Sequence, residues 1–391
     1  MTTIINAELV MRDHLIPEAV LFIEDGKILG YGEMRTTEIP KDSEIIDAKG
    51  AYVGPGLVDI HSHAGTGVRF MDDPAKATQE HLDCGTTTIL ATTSTRGLLP
   101  EYLEALDRIR KAMATPEGAT IAGVYMEGPY INENFGSVST LETGPGTPRV
   151  FDTIPEDYEP LLAAGADIIR VWGLAPEREG METFVKAAKA ANPDVRFTVA
   201  HSEATPKDIE RLIPYGLCIG THHTNATGTL ENYPECRTPC VDETVNYNNA
   251  IYAELISDSM GIHVDPYIQR LIRKIKSDDK IILISDHTIH DYIHVPELEH
   301  VTDLNFTYRR DGRIDISGSK LTLNVACRNY MKHTGASIVD AFKVASYNPA
   351  NVVGLFDRGE IAEGKRADLI FVDVKMNIKT VILGGKVVRQ N

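Results

Sequence analysis

Six ionisable residues stand at the ends of apolar runs along this 391-residue chain. They are His61 and His63 closing 53-VGPGLVDIHSH-63, Glu127 in 120-TIAGVYMEG-128, His201 in 195-VRFTVAHS-202, His222 in 217-LCIGTHHT-224 and Asp286 in 280-KIILISDHT-288. In an extended strand residues i and i+2 point to the same side, so His61 and His63 can aim two imidazoles at one ion. Taken alone that pair is a weak signal, because 13 histidines in 391 residues supply about 0.4 such pairs by chance. Imidazole and carboxylate suit zinc first, with iron(II), cobalt(II) and manganese(II) as alternatives, one or two ions per chain. A bound ion draws the pKa of a coordinated water towards ~7, and a carboxylate at the end of the last run, Asp286, can take that water's proton.

A single histidine or carboxylate at a strand end is more often a hydrogen-bonded structural residue, a cap or a salt-bridge partner. What favours a metal here is recurrence at one level, since charged groups gathered at a water-poor rim are costly without a common partner. His223 alternates to the side opposite His222, so at most one of the two points inward. His287, His290 and His294 either line the pocket or belong to an exposed loop. Cys236 and Cys240 form a C-x3-C with no second pair near them, which reads as incidental thiols rather than a structural zinc knuckle.

The elements that must carry these residues alternate. Strand-like runs begin near 53, 86, 120, 167, 195, 217, 254 and 280. Between several of them lie amphipathic helices. In 101-EYLEALDRIRKAM-113, Tyr102, Leu103, Leu106, Ile109 and Met113 share a face. In 266-PYIQRLIRKIK-276, Pro266 marks the entry and Ile268, Leu271, Ile272 and Ile275 are expected inward. Eight strands, most followed by a helix, predict an α/β fold built on a (β/α)8 TIM-like barrel, whose sites lie at the C-terminal strand ends. No G-x-G-x-x-G turn follows any strand, which disfavours a dinucleotide-binding sheet. Trp172 is expected in the packing and Gly85 at the tight entry to the second strand. Both chain ends are different in character, with β-rich runs at 3-TIINAELVM-11, 19-AVLFIEDGKILGYG-32, 367-ADLIFVDVK-375 and 378-IKTVILGGKVV-388. They predict a small β-sandwich domain from residues 1–52 plus 355–391, around a barrel spanning 53–354.

Composition sets the outer limits. Hydrophobic residues make up 42% and charged residues 24%, as in ordinary globular proteins. A net charge of −17 argues against nucleic acid or an anionic membrane as partner, though not against a small anionic substrate. No apolar run approaches the roughly 18–20 residues of a membrane span, and no secretory leader is evident, so a cytoplasmic location is expected. Five scattered cysteines suit a reducing compartment.

Eleven short pieces spread along nearly the whole chain carry a resemblance. Among them are 55-PGLVDIHSH-63, 126-MEGPY-130, 200-AHSEAT-205, 221-THHTNA-226, 263-HVD-265, 285-SD-286 and 359-GEIAEGKRADL-369. The E-G-P after the third strand and T-H-x-x-N-A after the sixth are the most specific. The sequence thereby resembles the N-acetylglucosamine-6-phosphate deacetylase family of the amidohydrolase superfamily. That resemblance implies a metal-dependent hydrolase removing the N-acetyl group of an amino-sugar phosphate. It puts Glu127 between the metals, His201 and His222 on one ion, His61 and His63 on another, and Asp286 as general base. It assigns His263, Asn225, the backbone of Ala226 and Arg237 to the substrate, and it implies a homodimer. The fourth strand, 167-DIIRVWGLAPE-177, has no lysine to be carboxylated as in dihydroorotase or urease, which favours the deacetylase branch. Two departures touch substrate recognition. Loop 132–149 lacks the family's histidine, and Arg237 comes several residues later than the phosphate-gripping arginine. The alternatives kept open are N-acetylgalactosamine 6-phosphate, an unphosphorylated amino sugar, an N-acyl amino acid or a cyclic amide. A non-catalytic barrel would be expected to lack ligands, and none of the six is missing.

Overall fold

The computed structural model describes residues 1–135, 150–228, 230–233, 236–289, 295–308 and 312–390. Eight parallel strands form one sheet in chain order: β1 (Leu57–Ser62), β2 (Thr86–Thr92), β3 (Ile121–Tyr130), β4 (Ile169–Leu174), β5 (Arg196–Val199), β6 (Leu217–Gly220), β7 (Tyr252–Leu255) and β8 (Ile281–Leu283). Helices follow them: α1 (Pro74–Asp83), α2 (Leu99–Met113), α3 (Pro155–Gly165), α4 (Met181–Ala191), α5 (Pro206–Glu210), α6 (Val241–Tyr247), α7 (Pro266–Lys276) and α8 (Leu323–Thr334). The predicted TIM-like barrel is therefore present.

Its core has two shells. Val58, Leu90, Tyr125, Val171, Ile219 and Ile282, one from each of six strands, pack together inside. Ala350, Val352 and Leu355 join the same cluster. The alternate strand residues, among them Trp172, Leu174, Phe197 and Leu255, face the helices. This is the inside/outside alternation that a strand's period of two requires.

β8 and β1 share no ladder, yet the barrel closes between them at the rim. The backbone N–H of Asp286 donates to the carbonyl of His61 at 2.9 Å, and those of His63 and Ala64 donate to the carbonyl of His287 at 2.9 and 3.0 Å. The seam is thus made by the residues singled out for chemistry.

The termini join into one sheet in the order Lys386–Gln390, Ile378–Leu383, Leu369–Val372, Tyr52–Pro55, Thr2–Val10, Leu15–Glu24, Lys27–Glu33, with Glu44–Asp47 beside Thr2–Val10. The strands expected at the two ends are there, with the turn at Asp25–Gly26, and they join into one branched sheet separate from the barrel. The run expected as one strand over 53–63 is split at Gly56. Residues 52–55 belong to the terminal sheet and 57–62 to the barrel. The backbone of Gly56 passes so close to the Thr87 side chain that a Cβ would overlap it.

Helix α2 buries Tyr102, Leu106 and Ile109 as expected. Helix α7 differs from expectation. It buries Gln269, Ile272 and Lys276, leaving Leu271 and Ile275 exposed and Ile268 partly covered. Specific hydrogen bonds decide this orientation. Gln269 accepts from the Ser257 hydroxyl at 3.0 Å and donates to the carbonyl of Val264 at 2.8 Å, while the Lys276 ammonium donates to the carbonyl of Asn248 at 2.6 Å. Satisfying these groups outweighs burying two more aliphatic side chains. Trp172 is packed in the core, all five cysteines are free thiols, and Gly85 enters β2 at positive φ. Among the described residues no helix is long and apolar enough to cross a membrane.

Candidate metal centre

The C-terminal strand ends bring the six residues together. Glu127, on β3 and 3% exposed, lies at the middle. One of its oxygens is 2.9 Å from His201 Nε2, 3.2 Å from His222 Nε2 and 3.5 Å from His61 Nε2; the other is 3.1 Å from His63 Nε2. Asp286 Oδ1 is 3.4 Å from His63 Nε2 and 3.8 Å from His61 Nε2. Two overlapping groups can each hold an ion: His61, His63 and Glu127; and Glu127, His201 and His222.

The local chain is bent to reach this arrangement. His201, His222 and Asp286 have φ of 44°, 26° and 47°, in the left-handed region. Each such non-glycine residue costs about 1–3 kcal/mol and persists only where its surroundings over-determine it. β4 makes room from behind, since a Cβ on Gly173 would lie 2.6 Å from the carbonyl oxygen of Glu127.

The charges are strongly coupled. Burial alone would raise the Glu127 pKa, but the charge of His63 and hydrogen bonds from His201 and His222 hold it well below the usual carboxylate range. Burial opposes protonation of His63, yet Glu127 and Asp286 push its pKa up to about 9. His61 and His222 are raised against burial in the same way, chiefly by Glu127. Asp286 is lowered despite its burial, mainly by His63 and His61.

The donor set fits a divalent transition metal. His201 Nε2 and His222 Nε2 face each other at 3.2 Å, and His61 Nε2 is buried with no hydrogen-bond partner. Ring nitrogens turned toward one another around a carboxylate are what a common cation explains.

The remaining sequence-predicted residues divide. His263 is buried; its backbone N–H donates to Asp258 at 2.9 Å, and its Nδ1, without a hydrogen bond, lies 3.9 Å from the same carboxylate. Burial lowers its pKa. Asn225 places its carbonyl 3.2 Å from His222 Nδ1, and Ala226 follows with φ of 54°. Arg237 lies on the short strand Cys236–Thr238, and its side chain is outside the described residues. His223 turns away, 3.1 Å from Asn246 Oδ1. His287 is buried rather than an exposed loop residue, and its Nδ1 lies 3.0 Å from the carbonyl of Leu321. His290, His294 and loop 136–149 lie outside the described residues.

Three buried residues were not anticipated. Asp59 accepts from the backbone N–H of His61 (3.2 Å) and of Ser285 (3.3 Å), and burial pushes its pKa up to about 6. His81 bonds the carbonyl of Ala64 at 2.7 Å and lies 3.2 Å from the Ser62 hydroxyl. Glu254, on β7, is 0% exposed and 3.2 Å from His61 Nδ1. The signal available for Glu254 was a lone carboxylate within the apolar run 252-YAELI-256.

Comparison with known proteins places the chain in a family and matches its fold. The amidohydrolase family model matches residues 52–388. The chain is 28% identical to the N-acetylglucosamine-6-phosphate deacetylase of Bacillus subtilis (strain 168), covering 97% of this chain and 95% of that one. It is 26% identical to the N-acetylgalactosamine-6-phosphate deacetylase of Escherichia coli O157:H7, covering 99% of each. Its fold superposes on the crystal structure of N-acetylglucosamine-6-phosphate deacetylase from Pasteurella multocida with a TM-score of 0.83 at 21% identity, covering all of both chains. The chain belongs to the amidohydrolase family, and it is a hydrolytic enzyme that acts on carbon–nitrogen bonds.

Proposed function

We propose that this protein removes the N-acetyl group of an amino-sugar phosphate such as N-acetylglucosamine 6-phosphate. The observation that carries the reading is Glu127 ringed by four imidazoles with Asp286 beside them. Support for the substrate class comes from the deacetylases that match it over nearly their whole length.

His61, His63, Glu127, His201 and His222 would hold one or two divalent ions, zinc foremost. When bound, such an ion supplies a Lewis acid that polarises the acetyl carbonyl and acidifies a water. Asp286 then does the proton work. Its Oδ1 takes a proton from the attacking water and returns it to the nitrogen as the C–N bond breaks, giving acetate and the free amine. His263 would steady the substrate together with Asn225, the backbone of Ala226 and Arg237. Arg237 would be the cation for the phosphate on this reading. A homodimer in the cytoplasm belongs to the same proposal.

A second reading, the galacto epimer, is favoured by the E. coli relative at almost the same identity. The test is elemental analysis of protein purified without chelator, coupled to acetate release from N-acetylglucosamine 6-phosphate, N-acetylgalactosamine 6-phosphate and their unphosphorylated forms. A preference for a 6-phosphate, expressed as kcat/KM, is expected. Cleavage of N-acyl amino acids or cyclic amides with none of the four sugars turned over would overturn the substrate class.

A further inference from the structure

Glu254 has an environment that the chemistry above does not use. Its side chain sits on β7 inside the barrel wall with no exposure, and among the described residues no lysine or arginine pairs with it. One carboxylate oxygen, Oε2, is 3.2 Å from His61 Nδ1 and also receives the backbone N–H of His222 at 3.3 Å. The other, Oε1, is buried and without a partner. A carboxylate stripped of water and given no cation is strongly disfavoured, so some positive charge must reach it. The nearest route is through the ring of His61, whose far nitrogen faces Glu127 and Asp286.

We infer that Glu254 is a positioning residue that orients His61 toward an ion and ties the two ligand groups together. An ionised carboxylate only accepts, so His61 donates Nδ1–H to it and leaves its Nε2 lone pair free. Tyr125 stacks on the same ring at 4.5 Å and fixes its plane. The same Oε2 holds the main chain of His222, a member of the other group, so one side chain sets the ring of one group and the backbone of the other. Outer partners of this type make an imidazole a stronger donor, and a carboxylate does so more than a carbonyl. Among the described residues His201 and His222 have carbonyls behind them, at 3.3 Å from Phe135 O and 3.2 Å from Asn225 O. Glu254 should therefore govern chiefly the ion held by His61 and His63.

This role rests on the metal-centre reading above, and the experiment separates the two. Ion affinity is measured by chelator competition and by the absorption spectrum of the cobalt(II)-substituted protein, for wild type, Glu254→Gln, His61→Gln and the double variant. Glu254→Gln should weaken one of two ions about 10- to 100-fold and change the cobalt spectrum. In the His61→Gln background the same change should have a much smaller effect, confined to the ion beside His222, whereas a merely structural role would cost as much in either background. Nitrogen-15 NMR of wild type, with the His61 signal assigned by its loss in His61→Gln, should find the proton on Nδ1, and this holds whether or not Glu254→Gln folds. A wild type that binds no transition metal overturns both the function and this role. Two ions held equally well after Glu254→Gln, or a His61 protonated on Nε2, overturns this role alone.

Discussion

The two candidate ligand groups share Glu127 but are built in opposite ways. His61 and His63 come from one strand end, one residue apart, and an ordinary strand period aims them. Behind them stand acidic groups: Glu254 at His61 Nδ1, Asp59 at its backbone N–H and Asp286 at the front. His201 and His222 come from different strands, each at positive φ, and rest on backbone carbonyls. The first group is cheap in backbone geometry and rich in buried negative charge. The second is strained in backbone and backed by neutral acceptors. Ligands delivered by local periodicity need electrostatic support to stay fixed, whereas ligands delivered by bent strand ends are fixed by the fold itself.

The largest effect should come from breaking what the groups share. Glu127→Gln is expected to lose both ions and to bring acetate release to background, read by elemental analysis and the coupled assay; retention of one full ion would show that the groups are independent. Next, Asp286→Asn should lower kcat by about 10²- to 10⁴-fold with metal content unchanged. Activity within a few-fold of wild type would remove Asp286 from the proton pathway. His61→Gln and His201→Gln should each cost one ion per chain, from different groups, so that their chelator titrations differ. Identical titration curves would mean a single site rather than two.

The smallest effect concerns the support under the first group. His81 is fully buried, and burial together with the neighbouring His287 lowers its pKa to about 4. The unfolded chain takes up that proton near pH 6.5 and the folded one only near 4, so stability falls as pH drops across that window. The loss traceable to His81 is on the order of 3 kcal/mol. Urea unfolding of wild type and His81→Asn at pH 7 and pH 4 should give a smaller pH-dependent loss in the variant; equal losses would place the acid sensitivity elsewhere.

Much of this was legible because strands and helices announce themselves by period. The eight runs, the turn at Asp25–Gly26 and the inner face of α2 follow from local spacing alone. Where a tertiary partner overrode the period, the pattern misled. Gln269 and Lys276 took the inner face of α7 through hydrogen bonds to Ser257, Val264 and Asn248, groups that no local pattern reveals. The run at 53–63 divided at Gly56 because two sheets meet there, and the contact with Thr87 lies thirty-one positions away. Glu254 looked like one acidic residue in an apolar run, and its meaning depends on His61, 193 positions earlier.

By itself the sequence determined which residue types stand at which strand ends, hence the barrel, its rim and the nitrogen and oxygen character of the site. Only the tertiary structure decided that four imidazoles face one carboxylate, that the β1–β8 seam is closed by hydrogen bonds at His61, His63 and Asp286, and that Glu254 stands behind His61. The reason is physical. Periodicity is a property of neighbouring residues, whereas the distance between two side chains on different strands is set by how the whole barrel closes.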